Sequence, residues 1–265
     1  MKNRLSVLLL FCMCIALSCE KEQTPEVENE GIPLITKEIF SDELYNEFTY
    51  NEQNLLKERK SKWFYTLYHY NESNRITSYE MYEDSRIYSS TWVTAEAAMN
   101  RKDWVTPQNT EISGKALFKY QDQKLKSITV THAHSDMQNT SDFTYDSNGR
   151  IVNQIFSSKG EIVNGRKVYT YDDHGNVILE EQYYSGTLIC TKSFEYDDRH
   201  NPFKVFNRQG TPGIYTNENN IVKETLVLME YTPGADSVQV TESSYEYNDQ
   251  GYPVTKNGFI RYEYK

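Results

Sequence analysis

The stretch "YTYDDHGNVI", from Tyr169 to Ile178, sets the pattern for most of the chain. Two tyrosines stand two positions apart, and they are followed by aspartate, a glycine-bearing turn and an apolar pair. Residues two apart lie on one face of a β-strand, whereas Asp and Gly favour a turn. The stretch therefore predicts a β-hairpin with both tyrosines on the same face.

This pattern recurs along the chain at a regular distance. Close copies open at Phe143, Phe194 and Tyr245, looser copies open at Phe48, Tyr68 and Phe118, and the chain ends on a half copy, Tyr262–Tyr264. Four consecutive second tyrosines, at 120, 145, 171 and 196, are 25, 26 and 25 residues apart. Two gaps of about twice that length predict a degenerate copy in each, at residues 82–88 and 215–222. A fixed period of this size is typical of an array of supersecondary units.

The repeated hairpin predicts an all-β fold. We expect a repetitive antiparallel β-meander with a period of about 25 residues, forming an elongated, twisted sheet of about 14 to 18 strands. The alternative is a closed or partly closed barrel. Three segments interrupt the pattern: a helical stretch at 94–106, a loop at 207–219 and a turn at 232–237. The start of the domain has helical spacing at Ile39, Leu44 and Phe48, which allows a short helix or an irregular lead-in before the first strand.

The first residues have the composition of a targeting segment and are not expected to belong to the folded domain. Lys2 and Arg4 precede an apolar run that ends at Leu17, and a cysteine follows at position 19. This segment resembles a bacterial lipoprotein signal, which implies removal of residues 1–18 and lipidation of Cys19. Residues 19–35 are acidic and poor in apolar side chains, so they predict a flexible tether. One folded domain then covers residues 36–265.

Charge and cysteine content limit the function further. The chain has a net charge of −10, and loss of Lys2 and Arg4 with the signal takes it to −12. An acidic chain is unsuited to bind nucleic acid. It is equally unsuited to bind anionic lipid through its charge, so we expect the lipid anchor alone to hold it at the membrane. Of four cysteines only Cys190 would remain in the domain, which excludes an internal disulfide there. Cys190 lies in an apolar run and is predicted to be a buried structural thiol.

The copies at 143–152 and 169–178 resemble the YD repeats of RHS-type proteins. That resemblance implies β-hairpins that wind into a long sheet; this chain has too few copies for the closed shell of the large family members. Together with the N-terminal signal, the repeats are similar to small YD-repeat-like lipoproteins of Bacteroidetes. The resemblance implies an outer-membrane lipoprotein, on the cell surface or on the periplasmic side. Glu20 and Glu22, directly after the cysteine, resemble a surface-export signal.

Motifs that carry chemistry are sparse. His132 and His134 in "THAHSD" have a spacing that suits a metal on a strand face, but histidines on an outer face explain them as well, and we predict no metal and no cofactor. Most acidic pairs stand in predicted turns, and no nucleophile elbow or phosphate loop appears. We therefore predict a protein that is not an enzyme; the alternative is a hydrolase with a dispersed carboxylate site.

Aromatic residues fall into two groups. The periodic pairs predict cross-strand packing, because the fold needs all of them and a binding site needs only a few. Four aromatic residues outside the periodic positions are the predicted ligand contacts: Trp63, Trp92, Trp104 and Tyr215. The expected function is a lipid-anchored cell-envelope protein that binds or displays a protein or glycan ligand. The alternative is a glycan-binding lipoprotein of a nutrient-uptake system.

Overall fold

A computed structural model of the chain describes residues 31–84, 86, 102–158, 161–209, 211–229 and 237–265. The predicted signal, Cys19 and the tether as far as residue 30 lie outside these residues, as do Trp92, most of the predicted helical stretch at 94–106 and most of the turn at 232–237. Residues 33–265 form one compact unit. No helix within the described part of the chain is long and apolar enough to cross a membrane.

The described residues form 17 strands in one antiparallel sheet. The strands are β1 (Ile35–Phe40), β2 (Glu43–Tyr50), β3 (Leu56–Ser61), β4 (Phe64–Tyr70), β5 (Ile76–Glu83), β6 (Ile112–Gln121), β7 (Lys124–His132), β8 (Gln138–Tyr145), β9 (Ile151–Ser158), β10 (Glu161–Tyr171), β11 (Val177–Tyr184), β12 (Thr187–His200), β13 (Asn219–Leu228), β14 (Ser237–Glu242), β15 (Tyr245–Tyr247), β16 (Pro253–Lys256) and β17 (Ile260–Tyr264). A 3-10 segment, Pro202–Gln209, lies between β12 and β13. The prediction of an all-β antiparallel meander is confirmed.

Ladders join each strand to the next along the chain, from β1 to β14 and again from β15 to β17. The last strand, β17, pairs with the first, β1. Only Ser243 and Ser244 separate β14 from β15, and among the described residues no ladder joins these two strands. The ladders therefore do not close the sheet into a barrel. We call this break, where β14 is followed by β15, the seam.

A shared turn explains why the repeated phrase forms hairpins. The side-chain oxygen of Asp172 accepts the backbone N–H groups of His174 and Asn176. The same pair of bonds is made by Asn51, Asn71, Asp146 and Asn248. Three residues after each of these turn residues the backbone has a positive φ, at Asn54, Asn74, Gly149, Gly175 and Gly251. Asn and Gly tolerate that conformation, so the turn chemistry predicted from the sequence is confirmed.

The second tyrosine of most copies donates a hydrogen bond to the main chain of an earlier strand. The Tyr171 hydroxyl donates to the Ile151 carbonyl at 2.6 Å, and the Tyr145 hydroxyl donates to the Leu125 carbonyl at 2.6 Å. Equivalent bonds to main-chain carbonyls are made by Tyr50, Tyr70, Tyr120, Tyr196 and Tyr264. The ladder register shifts just before most of these tyrosines, as it does between Thr170 and Tyr171. Most copies are thereby fixed to an earlier strand by a side-chain bond as well as by the ladder, whereas the Tyr247 hydroxyl donates to the Asp197 carboxylate.

The core lies on one face of the sheet, which we call the inner face. The first aromatic residues of the copies are buried there, including Phe48, Tyr68, Phe118, Phe143, Tyr169 and Tyr262. Phe206 of the 3-10 segment packs on the same face, with its ring centroid 5.1 Å from that of Phe48 on β2. Because Phe206 follows β12 and yet contacts β2, the sheet curls around this segment. The prediction that the periodic aromatics pack together is confirmed.

Two local predictions were wrong. Residues 39–48 do not form a helix: β1 and β2 make a hairpin whose two turn residues, Ser41 and Asp42, both have a positive φ. Pairing of β1 with β17 and β2 overrides the helical spacing. The expected hairpin copy at 215–222 is also absent, because Tyr215 lies in a loop and β13 begins only at Asn219. Ile221 nevertheless has the same role as Ile151 in a regular copy: its carbonyl accepts a tyrosine hydroxyl, here that of Tyr245.

Candidate functional site

A cavity of about 300 Å³ opens on the inner face at the seam. Strands β12 to β14 line one side, β15 to β17 line the other, and the loop before β13 lines the base. Its lining includes Phe194, Asn201, Phe203, Ile214, Asn217, Glu224, Thr241, Tyr245, Lys256 and Tyr262. Ligand sites combine apolar walls with a few placed polar groups, and small ones start near this volume. The seam cavity is therefore the candidate site.

Lys256 is the most unusual side chain of this cavity. Its ammonium lies 5.6 Å from the centroid of the Tyr245 ring, and no carboxylate lies within 4.0 Å of it among the described residues. Burial lowers the pKa of Lys256, while the charges of Glu38 and Glu224 act in the opposite direction. Burial raises the pKa of Tyr245 to about 12, so its hydroxyl stays protonated near neutral pH.

The other charged residues of the inner face beside the cavity are paired. The Lys192 ammonium lies 3.3 Å from a Glu224 carboxylate oxygen, and the Lys167 ammonium lies 2.7 Å from one of Glu180. In the ladder Glu180 is opposite Lys192, which places the four residues side by side on one face. Of the two charged residues that line the cavity, Glu224 is thus in an ion pair, whereas Lys256 has no carboxylate within 4.0 Å among the described residues.

A second polar cluster lies on the same face, on β1 to β3. The Asn46 side-chain amide donates to Glu38 Oε2 at 2.5 Å, and Arg59 lies with its guanidinium 4.6 Å from the centroid of the Phe64 ring. Asn46 is 1% exposed, yet its Oδ1 has no hydrogen-bond partner among the described residues, and the same holds for Arg59 Nε. Burial raises the pKa of Glu38, against the effects of its bond to Asn46 and the charges of Arg59 and Lys256.

Buried amides hold the loop at the base of the cavity. Asn176 Oδ1 accepts the backbone N–H groups of Glu218 and Asn219, and Asn217 Oδ1 accepts that of Val177. The Asn201 amide donates to the carbonyls of Ile214 and Asn217. These groups are satisfied within the protein, so they position the loop and are not free to bind a ligand.

The aromatic residues predicted as ligand contacts are placed apart. Tyr215 packs against Phe203 and Phe206 on the inner face, with ring centroids 6.4 Å and 5.7 Å away. Trp63 is half-buried between β3 and β4, its ring centroid 5.9 Å from that of Tyr45. Trp104 is half-buried ahead of β6, and its carbonyl accepts the side-chain amide of Asn109. No ring contact joins these three in the described part of the chain.

The predicted metal and thiol candidates also have clear positions. His132 is the last residue of β7 and His134 lies in the following turn, and both side chains are exposed. The described residues contain no group of three or more His, Cys, Asp or Glu side chains that could hold a metal ion. Cys190 is half-buried on β12, and burial raises the pKa of its thiol.

Sequence reasoning missed the inner-face residues Glu38, Arg59, Glu224 and Lys256. Each stands at a strand position that alternates with outward residues, which is the signal that could have identified them. Using that signal needs the strand boundaries, and around Glu38 the sequence left a short helix or an irregular lead-in open.

The sequence matches no known protein-family profile and no curated protein. A porin-like protein from Bacteroides uniformis has a similar structure, with a TM-score of 0.41 and 10% identity over 83% of this chain and 94% of that chain. The TcdB2-TccC3-TEV structure is similar with a TM-score of 0.31 and 11% identity over 80% of this chain, which spans 11% of that chain. Similarities at this level carry no argument about function. That this chain is a β-hairpin repeat protein rests on its own ladders and turns.

Proposed function

We propose that this chain is a non-enzymatic binding protein of the bacterial cell envelope that holds a small polar ligand in the seam cavity. In this proposal the protein is a YD-repeat-like lipoprotein, attached to the outer membrane through a lipid on Cys19. The observation that supports a binding role is the cavity itself: a space of about 300 Å³, lined by aromatic and polar side chains, contains a half-buried lysine that has no carboxylate within 4.0 Å among the described residues. Burying a charge without a partner is costly, and such costs are concentrated at functional sites.

The role of the tyrosines supports the same choice of site. Their rings pack on the inner face and their hydroxyls are bonded to main-chain carbonyls, so the fold itself uses them. A ligand surface made of the repeated residues would have to break these bonds. The seam departs from the repeat and offers side chains that the scaffold does not use.

A glycan is the second candidate for the ligand class. Sugars bind through apolar ring faces that stack on aromatic residues and through hydroxyls that need donors and acceptors. The seam cavity places the rings of Phe203, Tyr245 and Tyr262 beside Glu224 and Lys256. This juxtaposition supports the narrower proposal of a glycan-binding lipoprotein in a nutrient-uptake system.

A glycan array followed by calorimetry tests the proposal on the fragment 20–265, which contains the whole compact unit. We expect at least one ligand, and we expect Thr241→Trp to abolish its binding because Thr241 lines the cavity. Val240→Trp is the matched control: Val240 is the neighbouring residue of β14, is 52% exposed and does not line the cavity.

Three results would contradict the proposal. The first is an array without any signal. The second is equal loss of binding in both variants, which would place the ligand elsewhere. The third is steady release of a hydrolysis product from a bound oligosaccharide, which would make the protein an enzyme.

A further inference from the structure

A row of aromatic rings lies at the end of the sheet opposite the turns of the repeated phrase. The ring centroids of Phe259 and Phe40 are 5.4 Å apart, those of Phe40 and Tyr45 are 6.2 Å apart, and those of Tyr45 and Trp63 are 5.9 Å apart. We call these four residues the aromatic row. We propose that the aromatic row is a second binding site, which holds an uncharged glycan chain by stacking against its sugar rings. The seam cavity is lined by other residues, so the two sites are independent.

The main chain that carries the row is fixed by the fold. Phe40 is the last residue of β1, Trp63 lies in the turn between β3 and β4, and Phe259 lies in the turn between β16 and β17. Pairing of β1 with both β17 and β2 brings these turns to the same place. The Ser41 backbone N–H donates to the Phe259 carbonyl at 2.9 Å, and that of Trp63 donates to Ser61 Oγ at 3.2 Å. A ligand therefore meets a prepared surface and does not have to order these turns.

The rings of the row are exposed, unlike the periodic aromatics of the core. Phe40, Tyr45 and Phe259 are 47%, 41% and 46% exposed, whereas the first aromatic residues of the hairpin copies are buried. The planes of Phe40 and Phe259 meet at 75°, and those of Tyr45 and Trp63 meet at 68°. In such an edge-to-face pair one ring keeps both of its faces free of the other. Ring faces are what the apolar side of a sugar stacks on.

The area of the row distinguishes a glycan from a protein partner. An aromatic side chain has about 150 to 250 Å² of surface, so the exposed fractions amount to roughly 300 Å² for the row. A stable protein interface takes about 800 Å² from each partner. Exposed apolar patches of about 300 to 600 Å² on single proteins are often functional. The row by itself falls short of a protein interface, but it is large enough for a few sugar rings.

The charges beside the row favour an uncharged ligand. Outside the seam cavity, two acids and two bases stand in these turns or next to them: Asp42, Glu43, Lys62 and Arg261. The Arg261 guanidinium lies 3.4 Å from the Asp42 carboxylate. Binding to anionic lipid uses a cluster of basic residues, whereas here the described acids and bases are equal in number. Together with the Ser41 hydroxyl, these side chains offer donors and acceptors to sugar hydroxyls.

Calorimetry on the fragment 20–265 tests the inference with four uncharged hexasaccharides: cellohexaose, xylohexaose, mannohexaose and maltohexaose. We expect at least one to bind, and to bind about tenfold or more tightly than its own monosaccharide, because a chain contacts several rings at once. Tyr45→Ala should reduce this affinity by about tenfold or more, since residues at the centre of a contact surface carry most of the binding energy. Tyr45→Phe, which keeps the ring, should retain binding.

Tyr184→Ala is the matched control. Tyr184 is also an exposed tyrosine, at the end of β11 and outside the row, so this variant should bind the hexasaccharide as the unchanged protein does. Phe259→Ala removes a ring at the end of the row and should reduce the affinity by about threefold. Urea unfolding shows whether each variant is folded. Phe259 lies in a turn, so its variant tests the row even if Tyr45→Ala does not fold.

Three results would overturn the inference. The first is that none of the four hexasaccharides binds, or that the one that binds does so equally in the unchanged protein and in Tyr45→Ala. The second is sedimentation with phosphatidylcholine vesicles that Tyr45→Ala removes, which would make the row a membrane surface. The third is loss of hexasaccharide binding in Thr241→Trp, which would place the glycan in the seam cavity and leave the proposed function standing. A hexasaccharide that binds the row, without any ligand that Thr241→Trp displaces, would do the reverse.

Discussion

The regular hairpins and the seam are built from the same repeated phrase, but their tyrosines and acids bond differently. In the hairpin formed by β10 and β11, the Asp172 carboxylate accepts bonds from His174 and Asn176 of its own copy, and the Tyr171 hydroxyl donates to a main-chain carbonyl. At the seam the Tyr247 hydroxyl donates to the Asp197 carboxylate, 50 positions away. The same carboxylate accepts bonds from the backbone and side chain of Asn220.

This difference separates two uses of one motif. Within the regular hairpins the turn side chain bonds to backbone groups of its own copy, and the tyrosine hydroxyl bonds to the preceding copy. At the seam the corresponding side chains bridge strands that no ladder joins, and Phe203 of the 3-10 segment packs nearby against Tyr262 of β17. The seam is thus held by a small number of specific contacts, and the cavity lies among those contacts.

We expect the largest loss of stability from removing the Phe206 ring, which anchors the 3-10 segment on the inner face. Phe206 is 3% exposed and contacts the rings of Phe48, Phe203 and Tyr215. Phe206→Ala should lower the free energy of unfolding by about 3 to 5 kcal/mol, because it leaves a cavity in the core. Urea denaturation followed by tryptophan fluorescence measures this loss.

Phe259→Ala is its control, since Phe259 is 46% exposed in the turn between β16 and β17. It should cost well under about 1 kcal/mol. Equal losses in the two variants would mean that the 3-10 segment does not anchor the curl of the sheet.

An intermediate effect should distinguish the bridging acid from a turn residue. Asp197→Ala should lower the free energy of unfolding by about 2 to 3 kcal/mol, because it leaves the donors of Tyr247 and Asn220 without an acceptor. Asn51→Ala removes the two turn bonds of a regular hairpin, from the backbone N–H groups of Gln53 and Leu55. It should lower the free energy of unfolding by about 1 kcal/mol.

A double-mutant cycle sharpens this contrast. Asp197→Ala combined with Tyr247→Phe should cost less than the sum of the two single changes, because both remove the same bond. Strict additivity would contradict the bridge across the seam.

The smallest expected effect concerns a single hydroxyl of the regular hairpins. Tyr145→Phe removes the bond to the Leu125 carbonyl and should lower the free energy of unfolding by about 1 kcal/mol. Tyr184 is 52% exposed, so Tyr184→Phe should change stability by no more than about 0.5 kcal/mol. Chemical denaturation measures the free energy of unfolding of both variants. Equal losses would mean that the tyrosine hydroxyl bonds do not help to join the copies.

The hairpin unit could be predicted from the sequence because its causes are local. The Asp172 carboxylate accepts a backbone N–H group four positions later, and Gly175 takes the positive φ that the turn needs. Two aromatic residues two positions apart show which face of the strand is buried. Register, turn type and packing face are therefore all present within one copy of the phrase.

The candidate site could not be predicted in this way, because it depends on which distant strands become neighbours. Asp197 stands in the same place of the repeated phrase as the turn aspartates, and only the fold brings it to Tyr247. Glu38 and Lys256 share a face because β1 pairs with β17, which brings the first and the last strand of the described residues together. Non-periodic aromatics such as Tyr215 indicated the irregular region but not the charged residues within it.

The pairing of β1 with β17 also dictates an order of folding. Leu34 and Lys265 exchange backbone hydrogen bonds, so the first strand cannot be completed before the last residues of the chain are synthesised and available. Until then β1 has an open edge, and open edges invite pairing with other chains. Contacts between distant residues also form slowly. A chain truncated before residue 260 would retain most of its hairpins, but β1 would keep an unpaired edge, so we expect association with other copies more than loss of structure.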